Sequence, residues 1–95
     1  MGATASVDNT LTGEIVEFPT PTSDSGPYGI AVDPDGDLWF TEARGHQIGR
    51  ITPSGAITEF PIPTPNSSPF SIVAGPDGNL WFTEMNASKI GRFRR

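Results

Sequence analysis

The sequence predicts an all-β fold, and three observations carry that prediction. Glycine and proline are frequent, with 11 and 10 copies in 95 residues, and they separate short runs of β-branched and aromatic residues. A segment of 40 residues occurs twice in tandem. No window has an apolar helical period long enough to compete with strands. Together these features are typical of many short strands joined by tight turns.

The repeat has an offset of 42 residues and aligns residues 14–53 with residues 56–95 without a gap. Of the 40 aligned pairs, 20 are identical, which is far above chance for unrelated segments. Identical runs include residues 38–42 with 80–84. Such a period is typical of propellers and other repeat architectures, in which neighbouring units pack on one another.

Each repeat predicts four short strands, which is the content of one β-propeller blade. In the first repeat we place them at residues 28–32, 38–42, 47–52 and 56–60. Turns at residues 34–36 and 53–55 and a looser loop at 43–46 join them. Pro63 and Pro65 keep the next connection extended. Residues 13–95 are thus predicted to form a two-blade unit, after a flexible N-terminal lead-in at residues 1–12.

The phase of the repeat predicts assembly. Residues 14–18 form a lone strand that aligns with the outer strand of the first blade, whereas the second blade lacks its outer strand. Two blades cannot close on themselves, and an unpaired edge is unfavourable. We therefore expect an intermolecular closure, in which the N-terminal strand of one copy completes the last blade of the next. Closed rings would be a homo-trimer or a homo-tetramer.

Composition excludes several function classes. The net charge of -5 and the pI near 4.5 oppose binding to phosphate backbones, so we expect no nucleic-acid partner. No apolar run could span a bilayer and no signal peptide is seen, so we expect no membrane partner and a soluble, cytoplasmic protein. With no cysteine and one histidine, neither a disulfide nor a zinc site can support the small core.

Three motifs identify a family resemblance: Gly26-Pro27-Tyr28-Gly29-Ile30, the segment 34–42 and the segment 48–52. They resemble the blade consensus of streptogramin B lyases, also called virginiamycin B lyases, over residues 13–95. The resemblance implies a propeller fold and an N-terminal outer strand that closes the ring. It also implies enzymes that linearise cyclic depsipeptide antibiotics by Mg²⁺-dependent elimination of a C–O bond.

The same resemblance locates the family's reactive groups at the start of the innermost strand, near the central axis. The matching positions are Tyr28 and Phe70, of which Tyr28 resembles a substrate-contacting tyrosine. Histidines serve as general base and partner at this position in the family, and the acid two residues earlier corresponds to Gly26 or Ser68. Because these histidines and the acid are missing, we expect no catalytic residues in this chain.

Five residues remain candidates for ligand binding: Tyr28, Phe70, Glu42, Glu84 and His46. The two aromatic residues would form a collar at the axial channel. Glu42 and Glu84 end the second strand of each blade, where they either make a repeated structural contact, for instance with Arg50 and Arg92, or form a carboxylate ring for Mg²⁺. His46 is interpreted as a solvated loop residue or as part of a ligand rim.

Two further motifs have structural interpretations. Residues 33–37 are rich in aspartate, as in a calcium loop, but Gly75 and Asn79 replace two of them in the second repeat, which favours a turn. Trp39 and Trp81 alternate with Phe40 and Phe82 along the second strands and are predicted to fill the space between blades.

The sequence therefore supports two hypotheses of function. The first is a self-assembling propeller module with a structural or ligand-binding role, whose partners are copies of itself and a small-molecule or peptide ligand at the axial channel. The second is a virginiamycin B lyase-like enzyme, or a fragment of one. We expect no metal site and no cofactor from the residues themselves, whereas the resemblance implies Mg²⁺. We do not expect catalysis from the chain alone; any activity would be that of a carbon–oxygen lyase.

Overall fold

The computed structural model describes residues 13–95, which form two antiparallel sheets. The first sheet has the order β1-β2-β3-β4 and the second the order β5-β6-β7. A short 3-10 helix, Met85–Ala87, joins the last two strands. The strands are β1 (Pro27–Val32), β2 (Leu38–Glu42), β3 (Gln47–Ile51), β4 (Ile57–Pro61), β5 (Pro69–Ala74), β6 (Leu80–Glu84) and β7 (Lys89–Phe93). The all-β prediction is confirmed, and the four strands predicted for the first repeat agree with these bounds to within one residue.

Equivalent strands pair in the same register within each of the two sheets, as the repeat requires. Ile30 pairs with Phe40 in the first sheet, and Ile72 pairs with Phe82 in the second. Each inner strand also shifts register just after its first residue, Pro27 or Pro69. An identical irregularity in both copies indicates that the repeated sequence, and not its surroundings, determines it.

The turn predicted at residues 34–36 is confirmed. The backbone N–H of Gly36 donates to the carbonyl of Asp33 at 3.0 Å, and Gly36 has a φ of 92°. Gly78 at the matching position has a φ of 81° and closes the same turn. Only glycine adopts this region of backbone conformation without strain, which is why the Pro-Asp-Gly core occurs in both repeats.

Each sheet has two faces, which we call front and back. The front face of the first sheet presents Trp39, Thr41, Ile48 and Phe60, and it packs against the back face of the second sheet. That back face supplies Ile72, Leu80, Phe82 and Phe93. The Trp39 ring lies 4.8 Å from Phe93 and 5.9 Å from Phe60, centroid to centroid. Trp39 is 3% exposed, so the prediction that it fills the space between the sheets is confirmed.

The two outer faces are open. On the back of the first sheet, Ile30 is 63% exposed, and on the front of the second sheet Ile90 is 68% exposed. Trp81, which is equivalent to Trp39, lies on this open front face and is only partly buried. Its predicted role between blades is therefore not realised within a single chain, because no third sheet covers it in the described part.

Residues 14–18, predicted as a lone strand, are not assigned to a strand in the single chain. The partner predicted for them is β7 of another copy, so their pairing stays a prediction. Phe18 instead lies against Gly55, where an added Cβ would be 2.6 Å from the Phe18 ring. The predicted lead-in at residues 1–12 lies outside the described residues. Within residues 13–95, no helix is long and apolar enough to cross a membrane.

Candidate functional site

The five predicted ligand-binding residues cluster at the start of the inner strands and at the loops beside them. Glu42 pairs with Pro27 and Glu84 pairs with Pro69, so each glutamate lies directly across from the start of an inner strand. The prediction that both glutamates share the side of Tyr28 and Phe70 follows from this register and is confirmed.

Tyr28 and Phe70 are the second residues of the inner strands β1 and β5, and their rings are in contact. Their ring centroids are 3.8 Å apart and the planes are inclined by 27°, which is a stacked arrangement. Tyr28 remains 62% exposed, so one side of the stack is open. The two rings are in contact within one chain, whereas the collar at the axial channel and its use in ligand binding stay predictions.

Two hydrogen bonds of the Thr41 hydroxyl fix the position of this stack. The Thr41 hydroxyl donates to the carbonyl of Phe70 at 2.8 Å and accepts the backbone N–H of Gly29 at 2.9 Å. Thr41 is fully buried, and a Cβ at Gly29 would lie 2.8 Å from the same carbonyl. Strands β1 and β5 therefore approach as closely as a glycine allows, which brings the aromatic rings together.

Glu42 belongs to a buried polar cluster that we call the first cluster: Thr22, Glu42, Gln47 and Glu59. The Gln47 amide donates to Glu42 Oε1 and to the Thr22 hydroxyl, both at 3.1 Å. Thr22 donates to Glu59 through its hydroxyl at 2.7 Å and its backbone N–H at 3.3 Å. Glu42 Oε2 is buried and has no donor among the described residues.

The two carboxyl groups of the first cluster differ in proton affinity. Burial, together with the neighbouring Glu59, raises the pKa of Glu42 to about 7. Burial alone would also raise the pKa of Glu59, but the hydrogen bonds from Thr22 and the one with Glu42 outweigh it and leave that pKa below its usual value. A hydrogen bond between two carboxyl groups requires a proton, and the raised pKa of Glu42 and the lowered pKa of Glu59 favour Glu42 as its carrier.

The contact predicted between Glu42 and Arg50 is wrong. Arg50 instead binds Asp37, through Nε at 3.1 Å and Nη2 at 2.8 Å, and lies over the Trp39 ring. Register explains the difference: Arg50 lies opposite Trp39 on the front face, whereas Glu42 lies opposite Gln47 on the back face. Arg92 likewise lies over Trp81, 5.4 Å from the ring centroid.

Glu84 has a partly formed counterpart of this environment, which we call the second cluster: Thr64, Glu84 and Lys89. Lys89 stands at the position of Gln47 and its ammonium group donates to the Thr64 hydroxyl at 3.3 Å. Glu84 is 6% exposed, and its Oε1 has no hydrogen-bond partner among the described residues. The second cluster therefore lacks the residue that is equivalent to Glu59.

His46 lies in the predicted loop, but it is not simply solvated. It is half-buried with a φ of 55°, and its Nδ1 accepts the backbone N–H of Ser68 at 3.0 Å. Its carbonyl accepts the N–H of Ile62 at 3.2 Å. His46 therefore joins the first sheet to the connection that leads into β5, and the interpretation as a solvated loop residue is corrected to a structural one.

The aspartate-rich turn is held by internal donors. Asp33 is buried and accepts the backbone N–H groups of Asp35 and Asp37 at 2.8 and 3.1 Å and the Trp39 indole N–H at 2.7 Å. Burial would raise the pKa of Asp33, but these bonds outweigh it and lower that pKa. Arg95 adds an ion pair with Asp35 at 2.8 Å. These bonds support the prediction of a turn.

Sequence reasoning missed the first cluster. Thr22 and Glu59 lie 37 residues apart in sequence, and Glu59 was interpreted only as part of a strand motif. The repeat carried a usable signal, since Thr22, Glu42 and Glu59 are identical to Thr64, Glu84 and Glu17. Polar residues that recur at matching positions of the two repeats indicate a buried contact that both repeats have in common.

The described residues do not fit the Mg²⁺ that the resemblance implies. No group of three or more metal-ligating side chains lies together within residues 13–95. Mg²⁺ requires near-octahedral oxygen coordination, whereas the first cluster offers two carboxyl groups and Glu84 lies opposite a lysine in the strand register. What the arrangement offers is an exposed aromatic stack beside buried acids, which suits binding of a flat or apolar group better than metal chemistry.

Comparison with known proteins gives a consistent result. The model of the virginiamycin B lyase family matches residues 5–95. The virginiamycin B lyases of Bordetella pertussis and Bacillus licheniformis are 50% and 55% identical to this chain over 40 residues, which is 42% of the chain. The matched segments make up 13% and 14% of those relatives.

Solved structures agree. A selenomethionine-substituted virginiamycin B lyase from Staphylococcus aureus superposes with a TM-score of 0.84 and 46% identity, covering 90% of this chain and 29% of that one. A streptogramin B lyase structure gives a TM-score of 0.79 and 47% identity over 81% of this chain and 26% of the other. The chain thus spans less than a third of these neighbours, and its two sheets are similar to part of their propeller. On the match over residues 5–95, this chain belongs to the virginiamycin B lyase family.

Proposed function

We propose that this chain is a self-assembling β-propeller module, in which copies pack head to tail into a closed ring. One observation carries the proposal: the two open faces are the repeat equivalents of the two faces that pack together inside the chain. The front face of the second sheet matches the front face of the first, and the back face of the first matches the back face of the second. A copy of the chain is therefore a complementary partner for both.

Exposure values support this pairing. Ile90 is 68% exposed, whereas its equivalent Ile48 is 1% exposed beneath the second sheet. Ile30 is 63% exposed, whereas its equivalent Ile72 is 7% exposed. A contiguous apolar face of this kind marks an interaction surface. Because the two open faces differ, the contact is heterologous and gives a ring if the rotation closes, as a trimer or a tetramer.

The ring would repeat the Tyr28–Phe70 stack around its axis. Tyr28 is 62% exposed on the open side of the stack, so each copy would present an aromatic group to the channel. Aromatic surfaces with a few polar groups suit small-molecule or peptide ligands. We propose that this collar of aromatic rings binds a ligand. Glu42, Glu84 and His46 would support the collar structurally.

Native mass spectrometry of the 95-residue chain tests the assembly. We expect one closed species, a trimer or a tetramer. Ile90→Glu should abolish it, because the charge would be buried in the contact, whereas Met85→Glu, at a 56% exposed site on the short helix, should leave it intact. A folded monomer, or an open-ended series of larger species, would contradict the proposal.

A second candidate function, lyase activity, is favoured by family membership. The relatives carry the name virginiamycin B lyase, and one neighbour is a catalytically inactive variant of the Staphylococcus aureus enzyme, with quinupristin. Because the chain spans 13% to 14% of the curated relatives, this activity is only a candidate for it. The two residues that the resemblance places at the reactive position, Tyr28 and Phe70, are not the histidines that serve as general base there.

A further inference from the structure

The second cluster is an incomplete copy of the first. In the first cluster, Thr22 and Gln47 surround a pair of glutamates, Glu42 and Glu59. In the second, Thr64, Lys89 and Glu84 occupy three of the four equivalent positions, and the Thr64–Lys89 contact reproduces the Thr22–Gln47 contact. The fourth position is vacant because β7 has no neighbour on its outer edge among the described strands.

The repeat identifies the missing residue. An offset of 42 makes Glu17 the equivalent of Glu59, within the identical segments 17–19 and 59–61. Strand β4 pairs with β3 so that Glu59 lies opposite Gly49 and Phe60 opposite Ile48. The same register would place Glu17 opposite Gly91 and Phe18 opposite Ile90.

We propose that Glu17 of a second copy completes the second cluster and forms an ionic contact between copies with Glu84 and Lys89; this inference rests on the proposed ring. Three features of the chain support it. Glu84 is 6% exposed and its Oε1 has no hydrogen-bond partner among residues 13–95, whereas Lys89 lies opposite Glu84 in the strand register. An ammonium group shared between Glu84 and the incoming carboxylate would supply the missing donor. The Thr64 hydroxyl is positioned as Thr22 is for Glu59. The incoming segment is available, since Ile15 and Val16 are 81% and 65% exposed.

The chemistry of the completed cluster differs from that of the first at one position. Gln47 is neutral, so it does not offset the burial and the nearby Glu59 that raise the pKa of Glu42. Lys89 carries a positive charge, which would offset the repulsion between the carboxyl groups of Glu84 and Glu17. A contact between copies that relies on an ion pair is directional, because a strand in any other register would not bring the Glu17 carboxylate to Lys89.

Other charges near the second cluster are few. Three charged or titratable residues of the first repeat, Asp24, Arg44 and His46, are replaced by Asn66, Asn86 and Ser88. Arg92 lies over Trp81 on the opposite face of the second sheet. On the incoming segment the other titratable group is Glu14, which the register places opposite Arg94, at the far end of β7.

A cysteine cross-link tests the strand register, since the chain has no cysteine of its own. Residues directly opposite one another in an antiparallel pair have their Cα atoms about 4.5 to 5.5 Å apart, which a disulfide can bridge. The double variant Phe18→Cys with Ile90→Cys should therefore give covalently linked copies on mild oxidation. The control Ile15→Cys with Ile90→Cys, three residues out of register, should not.

The pH dependence of assembly tests the ionic contact. We expect assembly of the unmodified chain to change little between pH 5 and pH 8. Lys89→Gln recreates the first cluster and should assemble at pH 5 but lose affinity by at least about tenfold at pH 8, where the two carboxylates repel. Adding Glu17→Gln to Lys89→Gln should remove the repulsion and restore assembly at pH 8.

The outcomes separate the two proposals. A chain that stays monomeric at every pH would overturn both the ring and the contact. Rings that form without the in-register cross-link, or a Lys89→Gln variant whose assembly at pH 8 matches that of the unmodified chain, would overturn the Glu17–Glu84–Lys89 contact alone. So would a Lys89→Gln variant that fails to assemble even at pH 5, where a shared proton makes the lysine unnecessary.

Discussion

At the scale of single residues, one substitution between repeats decides how a buried carboxyl pair is stabilised. Glu42 and Glu84 occupy equivalent buried positions, but the neighbour of the first is Gln47 and that of the second is Lys89. An amide donates a hydrogen bond but carries no charge to offset the repulsion between two carboxylates, whereas an ammonium group both donates and neutralises. The same backbone therefore hosts a proton-dependent contact within the chain and a site suited to an ion pair at its edge.

The first prediction at this scale concerns the pH dependence of stability. The pKa of Glu42 rises from its ordinary value of 4.5 to about 7 in the folded chain. Between these values the folded state binds the extra proton, so the free energy of unfolding should fall as pH rises, by about 1 to 3 kcal/mol in total. Glu42→Gln keeps an acceptor for Gln47 and offers an amide N–H to Glu59, so it should remove this dependence.

Urea unfolding at pH 5, 6, 7 and 8 measures how the free energy of unfolding depends on pH. Glu59 contributes in the opposite sense, because its lowered pKa gives stability that is lost only as pH falls below its ordinary range. Ser54→Ala, in an exposed turn, serves as the control and should keep the pH dependence of the unmodified chain. If the free energy of unfolding varied with pH in the same way for the unmodified chain and for Glu42→Gln, the carboxyl pair would not hold the proton.

At the scale of strands and sheets, the sequence predicted what depends on local pattern and repetition. Strand bounds and turns follow from alternation, Pro-Asp-Gly and the 42-residue offset, which is why those predicted for the first repeat agree with the structure. The Arg50 contact was wrong because it depends on which face each residue occupies, and Arg50 and Glu42 lie on opposite faces. The His46–Ser68 bond was missed because it joins segments 22 residues apart through a backbone N–H that no motif marks.

The second prediction compares the two tryptophans of β2 and β6. Trp39 is 3% exposed between the sheets, so Trp39→Ala should cost about 3 to 5 kcal/mol at any protein concentration. Trp81 lies on the open front face, so Trp81→Ala should cost that much only where copies assemble. Thermal unfolding over a hundredfold range of concentration separates the two. Equal and concentration-independent losses would contradict the assignment of the open face as an interface.

At the scale of the whole molecule, the fold is similar to part of a lyase propeller, and this similarity covers less than a third of the solved structures. The family match and the superposition on the Staphylococcus aureus enzyme concern the repeated scaffold. Repeated blades of a propeller share turns and core residues for structural reasons, whereas a reaction needs particular side chains at particular blades. Sequence similarity at this level thus predicts architecture more strongly than activity.

The third prediction follows at this scale: the 95-residue chain should not open streptogramin B rings, even when assembled and supplied with Mg²⁺. Elimination requires a base that removes the proton next to a carbonyl and a group that holds the developing negative charge. Tyr28 has an ordinary phenol at the open stack, Phe70 has no proton-accepting group, and His46 Nδ1 is engaged by Ser68. Elimination leaves the mass unchanged, so the linear product must be separated by chromatography before mass spectrometry. Turnover that disappears in His46→Ala but persists in Met85→Glu would overturn this prediction and make lyase activity the leading function.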